Sequence, residues 1–236
     1  DTINGGLGND FIQGAAGADV INGGAGVDTA SYADVTGLTS HGLTDLNGIA
    51  VNLTDAAITE ANIQAALVNA TDKLGFLDLN LELGAGTAQY LIIAGGTASV
   101  DYDVDTLNSV EGIVGSAMDD YIAIGVDSVT VDAAAGTDVI ISGTADDNIS
   151  GGSGDDVINI VSAAHHGTGE IINGGTGTDE IQFNSILGET LVLSSGVTGV
   201  ESVAIATTNG IATGTTSENI DASALTAAID LFGNDG

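Results

Sequence analysis

Large aliphatic residues recur along this chain in a fixed phase with glycine and aspartate. Ile12 stands eighth in the nine residues 5–13, Ile21 in 14–22, Ile158 in 151–159 and Ile181 in 174–182. The frame reads Gly-Gly-x-Gly-x-Asp-x-aliphatic-x. Residues 23–31 (GGAGVDTAS) make a fifth copy, so three run without a gap from residue 5. Positions six to nine, such as Asp10-Phe11-Ile12-Gln13 and Asp156-Val157-Ile158-Asn159, form a short strand with the aliphatic residue on one side. A strand that short is buried only by its neighbours, which predicts a solenoid. Successive turns lie on alternate sides, so two repeats make one coil and turns two repeats apart are stacked.

The period is lost at Tyr32. Ile49-Ala50-Val51-Asn52-Leu53 alternates as a half-buried strand does. An amphipathic helix is predicted over 59–74, with Ile63, Ala66, Leu67, Ala70 and Leu74 on one face. Thr59 suits its N-cap, Glu60 and Lys73 the two ends of its dipole, and Gly75 its stop. Residues 77–83 and 88–94 read as strands. The nonapeptide returns in degenerate form at 115–123, where Met118 replaces a glycine, and fades at 124–132, where Val129 holds the sixth place. Residues 133–141 keep Gly136 and Asp138, and 142–150 keep Gly143 and Asp147. Fourteen residues, 160–173, separate the last two strong copies and end in Glu170-Ile171-Ile172-Asn173; we read them as one repeat with five extra residues. Beyond Gln182, Leu191-Val192-Leu193, Val200 to Ile205 and Asn219-Ile220-Asp221 read as strands that continue the solenoid by packing alone. The expected organisation is a first repeat block at 1–31, a connecting unit at 32–114, a second block at 115–182 and a continuation at 183–236.

The turns carry the chemistry. Glycine at the first, second and fourth positions admits backbone angles barred to other residues and lets carbonyls turn inward. The sixth-position Asp adds a carboxylate to the same hollow, giving the all-oxygen surroundings that calcium prefers. Stacking sets Asp1 against Asp19 and Asp10 against Asp28. In the second block it aligns Asp120, Asp138, Asp156 and Asp179, with Asp147 on the other, weaker side. The expected ligand carbonyls come from the turns of Gly6, Gly8, Gly17, Gly24, Gly26, Gly136, Gly152, Gly154, Gly175 and Gly177. In the pairs Asp119-Asp120, Asp146-Asp147 and Asp155-Asp156 the first acid is expected to face solvent. Two adjacent strand positions point to opposite faces, which argues against paired glycosidase carboxylates.

Charge sharpens this picture. Among 236 residues, 33 are acidic and one (Lys73) basic, a net charge of −32. Such imbalance opposes compaction and forbids ordinary phosphate-backbone binding to nucleic acid. With 43% of residues hydrophobic and the acids spaced through the repeats, the carboxylates read as ordered groups awaiting a cation, not as a disordered tail. There is no Cys, hence no disulfide or thiolate site, and no apolar run of membrane-spanning length. His165-His166 reads as surface loop before zinc ligand pair, and His41 with Ser40 and Asp45 is too local for a triad. Asp1 to Asn4 is the second half of a repeat and Gly233 to Gly236 resembles the first half of another, so an excerpt of a longer repetitive protein is expected.

The nonapeptide resembles the calcium-binding repeat of RTX proteins. The resemblance extends to Asp28-Thr29-Ala30-Ser31-Tyr32, Val51-Asn52-Leu53 and the run from Asp105 to Ser116, which look like the connecting unit between RTX blocks. It implies an all-β fold: a parallel β-roll, a calcium-stabilised right-handed β-solenoid, here with one inserted helix. It also implies several calcium ions held by turn carbonyls and sixth-position Asp, and export unfolded through a type I channel with folding in millimolar external calcium. RTX proteins include toxins, proteases, lipases, epimerases, adhesins and surface-layer proteins. With no catalytic constellation, the expectation is a non-enzymatic segment of a secreted surface-layer or adhesin-type protein at the cell surface. Neighbouring copies in a lattice or filament and cell-surface polysaccharide are its candidate partners; nucleic acid and membrane insertion are not. The alternative is the accessory C-terminal β-roll of an exported protease, lipase or epimerase.

Overall fold

A computed structural model describes residues 1–15, 17–35, 48–54, 58–59, 82–83, 87–93, 100–185, 187–205 and 217–233, with backbone alone for 58–59, 82–83, 87–93 and 100–104. Its strands, β1 to β22 in chain order, build two long walls. The first wall runs β1 (Thr2–Leu7), β3 (Val20–Ala25), β9 (Val100–Asn108), β8 (Thr87–Ile93), β5 (Ile49–Asn52), β11 (Tyr121–Ala123), β13 (Val139–Ile141), β15 (Val157–Ile160), β17 (Glu180–Phe183), β20 (Ser202–Ile205) and β22 (Asp230–Phe232). The second runs β2 (Phe11–Ile12), β4 (Thr29–Ser31), β10 (Gly112–Val114), β12 (Thr130–Asp132), β14 (Asn148–Ser153), β16 (Ile171–Thr176) and β19 (Val197–Thr198). Two small pairs complete it: β18 (Thr190–Val192) with β21 (Asn219–Asp221), and β6 (Ile58–Thr59) with β7 (Glu82–Leu83). The fold is the predicted parallel β-roll.

Register follows the repeat. Ile3 pairs with Ile21 and Ile12 with Ala30; Ile122, Ile140 and Ile158 align in turn. Ile149 pairs with Ile172 and Ile158 with Ile181, so the fourteen-residue repeat keeps phase. Its surplus is absorbed in a turn holding the 3₁₀ segment Ala163–His165. The eighth-position residues form the core. Ile21, Ile122, Ile140, Ile158 and Ile181 from the first wall and Ile149 and Ile172 from the second are 0% exposed. Each such side chain contributes about 1.5–3 kcal/mol of apolar burial. On the outer face of the first wall, Asn108 donates its amide to Asn22 and Asn22 to Asn4, both at 2.9 Å.

The walls depart from uniform stacking at one place. In the second wall β10 pairs directly with β4 and with β12. In the first, β8 is antiparallel to both β9 and β5, and these strands stand between β3 and β11. The strand expected at 49–53 is present, but Ile49, Ala50, Val51 and Asn52 are all buried rather than alternating. The wall is covered on both faces there, for the outward Tyr121 and Val139 are only 3% and 4% exposed. The helix expected over 59–74 falls outside the described residues except Thr59, which lies in β6. Among the described residues no helix is long and apolar enough to cross a membrane.

Candidate calcium sites

The strong nonapeptide turns leave their strands through glycines with positive φ at the second and fourth positions. Gly6, Gly8, Gly24, Gly26, Gly152, Gly154, Gly175 and Gly177 lie between +105° and +148°, as do Gly17 and Gly136 at the fourth position of weaker copies. Ala15 (φ 64°) and Ala134 (φ 76°) hold the second position of those weaker copies and keep the left-handed conformation. Stacking is tight: a Cβ built on Gly24 would strike Gly6 O, one on Gly152 would strike Ala134 O, and one on Gly175 would strike Gly152 O.

The sixth-position carboxylates form two ladders. On the side leading into the first wall, the Asp19 N–H donates to Asp105 Oδ1, Asp120 to Asp138, Asp138 to Asp156 and Asp156 to Asp179, at 2.7–2.9 Å. The Asp1 nitrogen donates to Asp19 Oδ1 in the same manner. On the other side the Asp10 N–H donates to Asp28 Oδ1 at 2.9 Å. One carboxylate oxygen thus satisfies the turn before it. The second is buried with no protein partner in Asp10, Asp19, Asp28, Asp138, Asp156 and Asp179. A buried carboxylate oxygen without a donor is costly unless a cation faces it.

Backbone carbonyls share a hollow with those oxygens. A Cβ built on Gly5 would lie 2.6 Å from Asp10 Oδ2 and 2.5 Å from Gly23 O; one on Gly151 would meet Asp156 Oδ2 and lie 2.5 Å from Gly174 O. The first-position glycine therefore leaves open an oxygen-lined hollow that any side chain would fill. This donor set is hard, anionic and free of nitrogen, and it fits calcium. Among the described residues no three His, Cys, Asp or Glu side chains converge on one point, as expected where carbonyls complete each hollow.

Burial penalises these charges when no ion is present. It raises Asp138 to about 9, with Asp120 and Asp156 adding repulsion, and Asp156 to about 6. Asp179 is raised as well, again chiefly by burial. These are groups whose ionised form the protein alone does not stabilise.

Two sixth-position acids are built differently. Both oxygens of Asp120 are engaged: Ser116 N–H donates to Oδ2, and Ser116 Oγ and Ile49 N–H to Oδ1, each at 2.7 Å. Burial still lifts it to about 7. Asp147 accepts from Val129 N–H on Oδ1 at 2.9 Å and from Gly143 N–H on Oδ2 at 3.2 Å. The fifth-position acids are not merely solvent-facing. Asp119 Oδ1 accepts the Thr137 N–H at 2.6 Å and Asp155 Oδ1 the Thr178 N–H at 2.8 Å, each tying one turn to the next on its side. His166 is 7% exposed rather than in a surface loop, because its Nε2 accepts the Ser194 N–H at 3.1 Å.

Four acids join the ladders without having been selected as ligands from the sequence. Asp105 Oδ1 takes the Asp19 N–H and its Oδ2 the Tyr32 hydroxyl. Glu111, Glu170 and Glu201 accept the N–H groups of Asp28, Asp147 and Asp179 at 2.8–3.0 Å. Glu170 Oε1 is a further buried oxygen without a partner, and burial raises that carboxyl to about 7. The signal for all four was present: an acid two residues before an in-phase aliphatic residue.

A family model of the RTX calcium-binding nonapeptide repeat matches residues 1–30 and 131–159, in four copies. No curated protein matches the chain.

Proposed function

We propose that this chain of RTX calcium-binding repeats is a structural segment of a secreted bacterial surface-layer or adhesin-type protein, one that folds when it meets external calcium. The row of buried carboxylate oxygens without protein donors, in phase with the repeat, supports the calcium-dependent part most directly. A net charge of −32 adds to it, since stacked acids tolerate one another only with divalent ions between them. The structural role is supported by the described residues, most of which belong to stacked turns and the parallel strands between them. Neighbouring copies and cell-surface polysaccharide are the partners expected of such a segment.

Far-ultraviolet circular dichroism in EDTA and then in calcium tests the reading. The chain is expected to be largely unordered in EDTA and β-rich at about 10⁻⁴ to 10⁻³ M calcium, the range of extracellular modules. Magnesium is expected to substitute poorly, because it demands a tighter octahedron and holds its water. An identical folded spectrum in both conditions would overturn calcium-dependent folding. A zinc-protease or lipase motif in flanking chain would overturn the structural role alone.

A further inference from the structure

Among the described residues the chain twice passes from one wall to the other in a turn shorter than a nonapeptide. Leu107-Asn108-Ser109-Val110-Glu111-Gly112-Ile113 leads from the first wall to the second, and Val197-Thr198-Gly199-Val200-Glu201-Ser202-Val203 leads back. Neither has the Gly-Gly-x-Gly arc. Both place a left-handed residue at the same point, Ser109 at φ 50° and Gly199 at φ 59°, followed by Val-Glu. Both Glu side chains accept the N–H of the sixth-position Asp in the strong or intact turn stacked beside them, Glu111 from Asp28 at 3.0 Å and Glu201 from Asp179 at 2.8 Å.

Each short turn also supplies a carbonyl where an interior turn would. A Cβ built on Gly23 would strike Ser109 O and lie 2.6 Å from Asp28 Oδ2. One on Gly174 would strike Gly199 O and lie 2.7 Å from Asp179 Oδ2. In the interior hollows over Gly5 and Gly151 the corresponding carbonyls are Gly23 O and Gly174 O. Asp28 and Asp179 are 0% exposed, and their Oδ2 atoms have no partner. Glycine without a Cβ, orphaned Oδ2, facing carbonyl and anionic rim are all reproduced, although Glu111, Asp179 and Glu201 lie outside the residues that match the repeat.

We infer that the short Val-Glu turn closes a terminal calcium site. One such site lies among Gly23, Asp28, Ser109 and Glu111, the other among Gly174, Asp179, Gly199 and Glu201. A row of ions then ends against a Glu-bearing turn instead of an open nonapeptide edge. This rests on the calcium reading above and extends it to residues the nonapeptide frame does not specify.

Glu111→Gln and Glu201→Gln test it, because the Gln carbonyl oxygen still accepts the Asp N–H while the charge is lost. Isothermal titration with calcium alone, on wild type and both variants, is expected to show one ion per variant lost or bound at least about tenfold more weakly, and two in the double variant. Without calcium the Glu201→Gln variant is expected to be no less ordered than wild type, since the Asp179 N–H keeps an acceptor while the charge beside Asp179 is removed. A Glu that only accepted a hydrogen bond would leave the titration unchanged on replacement by Gln. Wild-type and variant titrations that coincide would overturn the terminal sites while leaving the calcium reading intact; a wild type that takes up no calcium would overturn that reading itself.

Discussion

Asp156→Asn separates the two tasks of a sixth-position carboxylate. Oδ1 accepts the Asp138 N–H at 2.9 Å, and an Asn in the same rotamer keeps an oxygen there. The amide nitrogen then replaces Oδ2, the buried oxygen with no protein partner. The metal-free fold loses little, and relief of repulsion from the neighbouring Asp138 and Asp179 favours it. A bound cation, in contrast, meets a donor in place of an anion. Asp147→Asn is the control, for there both oxygens already accept N–H groups. An Asn at 147 sets its amide against the Gly143 N–H, at a cost of about 1–3 kcal/mol for an unsatisfied buried donor. Where folding is linked to several ions, that cost is shared among them. Spread over several ions at about 1.4 kcal/mol per decade, it moves the calcium midpoint by less than about one decade and leaves the steepness unchanged. Asp156→Asn removes an ion from the row, so its transition is expected to be shallower as well as later, by about a decade. Circular dichroism against free calcium reads both quantities. A curve for Asp147→Asn as flattened as that for Asp156→Asn would refute the distinction between the two carboxylates.

The metal-free chain is expected to be more stable in acid. Asp138, Asp120, Glu170 and Asp156 all have folded values above their unfolded ones, so the folded state binds more protons. The stabilisation is full below about pH 4 and is lost as pH rises toward about 9; far-ultraviolet circular dichroism of calcium-depleted protein, with more β-structure at pH 4 than at pH 8, checks the sign. Gly154→Ala is expected to cost at least about 3 kcal/mol in calcium, because φ is +133° and the new Cβ strikes Gly136 O; the denaturant midpoint measures it. Ala134→Gly, at φ 76°, is expected to stabilise by up to about 1 kcal/mol in the same assay, the relief of a left-handed Ala exceeding the added unfolded-state entropy. Calcium ordering is expected in two phases. Ile49 interrupts the first ladder below Asp120 and Val129 interrupts the second below Asp147, so on each side the acids up to Asp105 and Glu111 are separate from those beginning at Asp120 and Asp147. Stopped-flow mixing with calcium showing one phase at all concentrations would exclude that division.

The phase of Gly, Asp and Ile made the roll, its coil length and most of its core legible, because each position of the nonapeptide has one physical task. It even carried the register through the fourteen residues before Gly174. The ladder acids Glu111, Glu170 and Glu201 escaped notice because the same N–H is met by a longer side chain in turns of unequal length. Direction of pairing was also hidden: alternation at 88–94 announces a strand, yet nothing in it states that β8 runs against both of its neighbours. The burial of His166 and the tie from Asp155 to Thr178 depend on which N–H groups lack an acceptor, a property of the assembled turns. The second-position alanines, Ala15 and Ala134, show the converse. There the residue is a poor fit, and the stacking imposes its geometry regardless.

The strands β8 and β5 have a geometric consequence for the whole roll. They add two strands to one wall at a height where the other wall runs on without interruption. At about 4.8 Å per strand, one side is longer by roughly 10 Å, across a gap between sheets of about the same size. A straight rod cannot absorb such a difference. Equal strand spacing on both walls would require the axis to turn there, with the longer wall on the convex side. An elbow of this kind, repeated along a longer chain, would make an arc and not a fibre. The radius of that arc would be set by how often such a pair of strands is inserted.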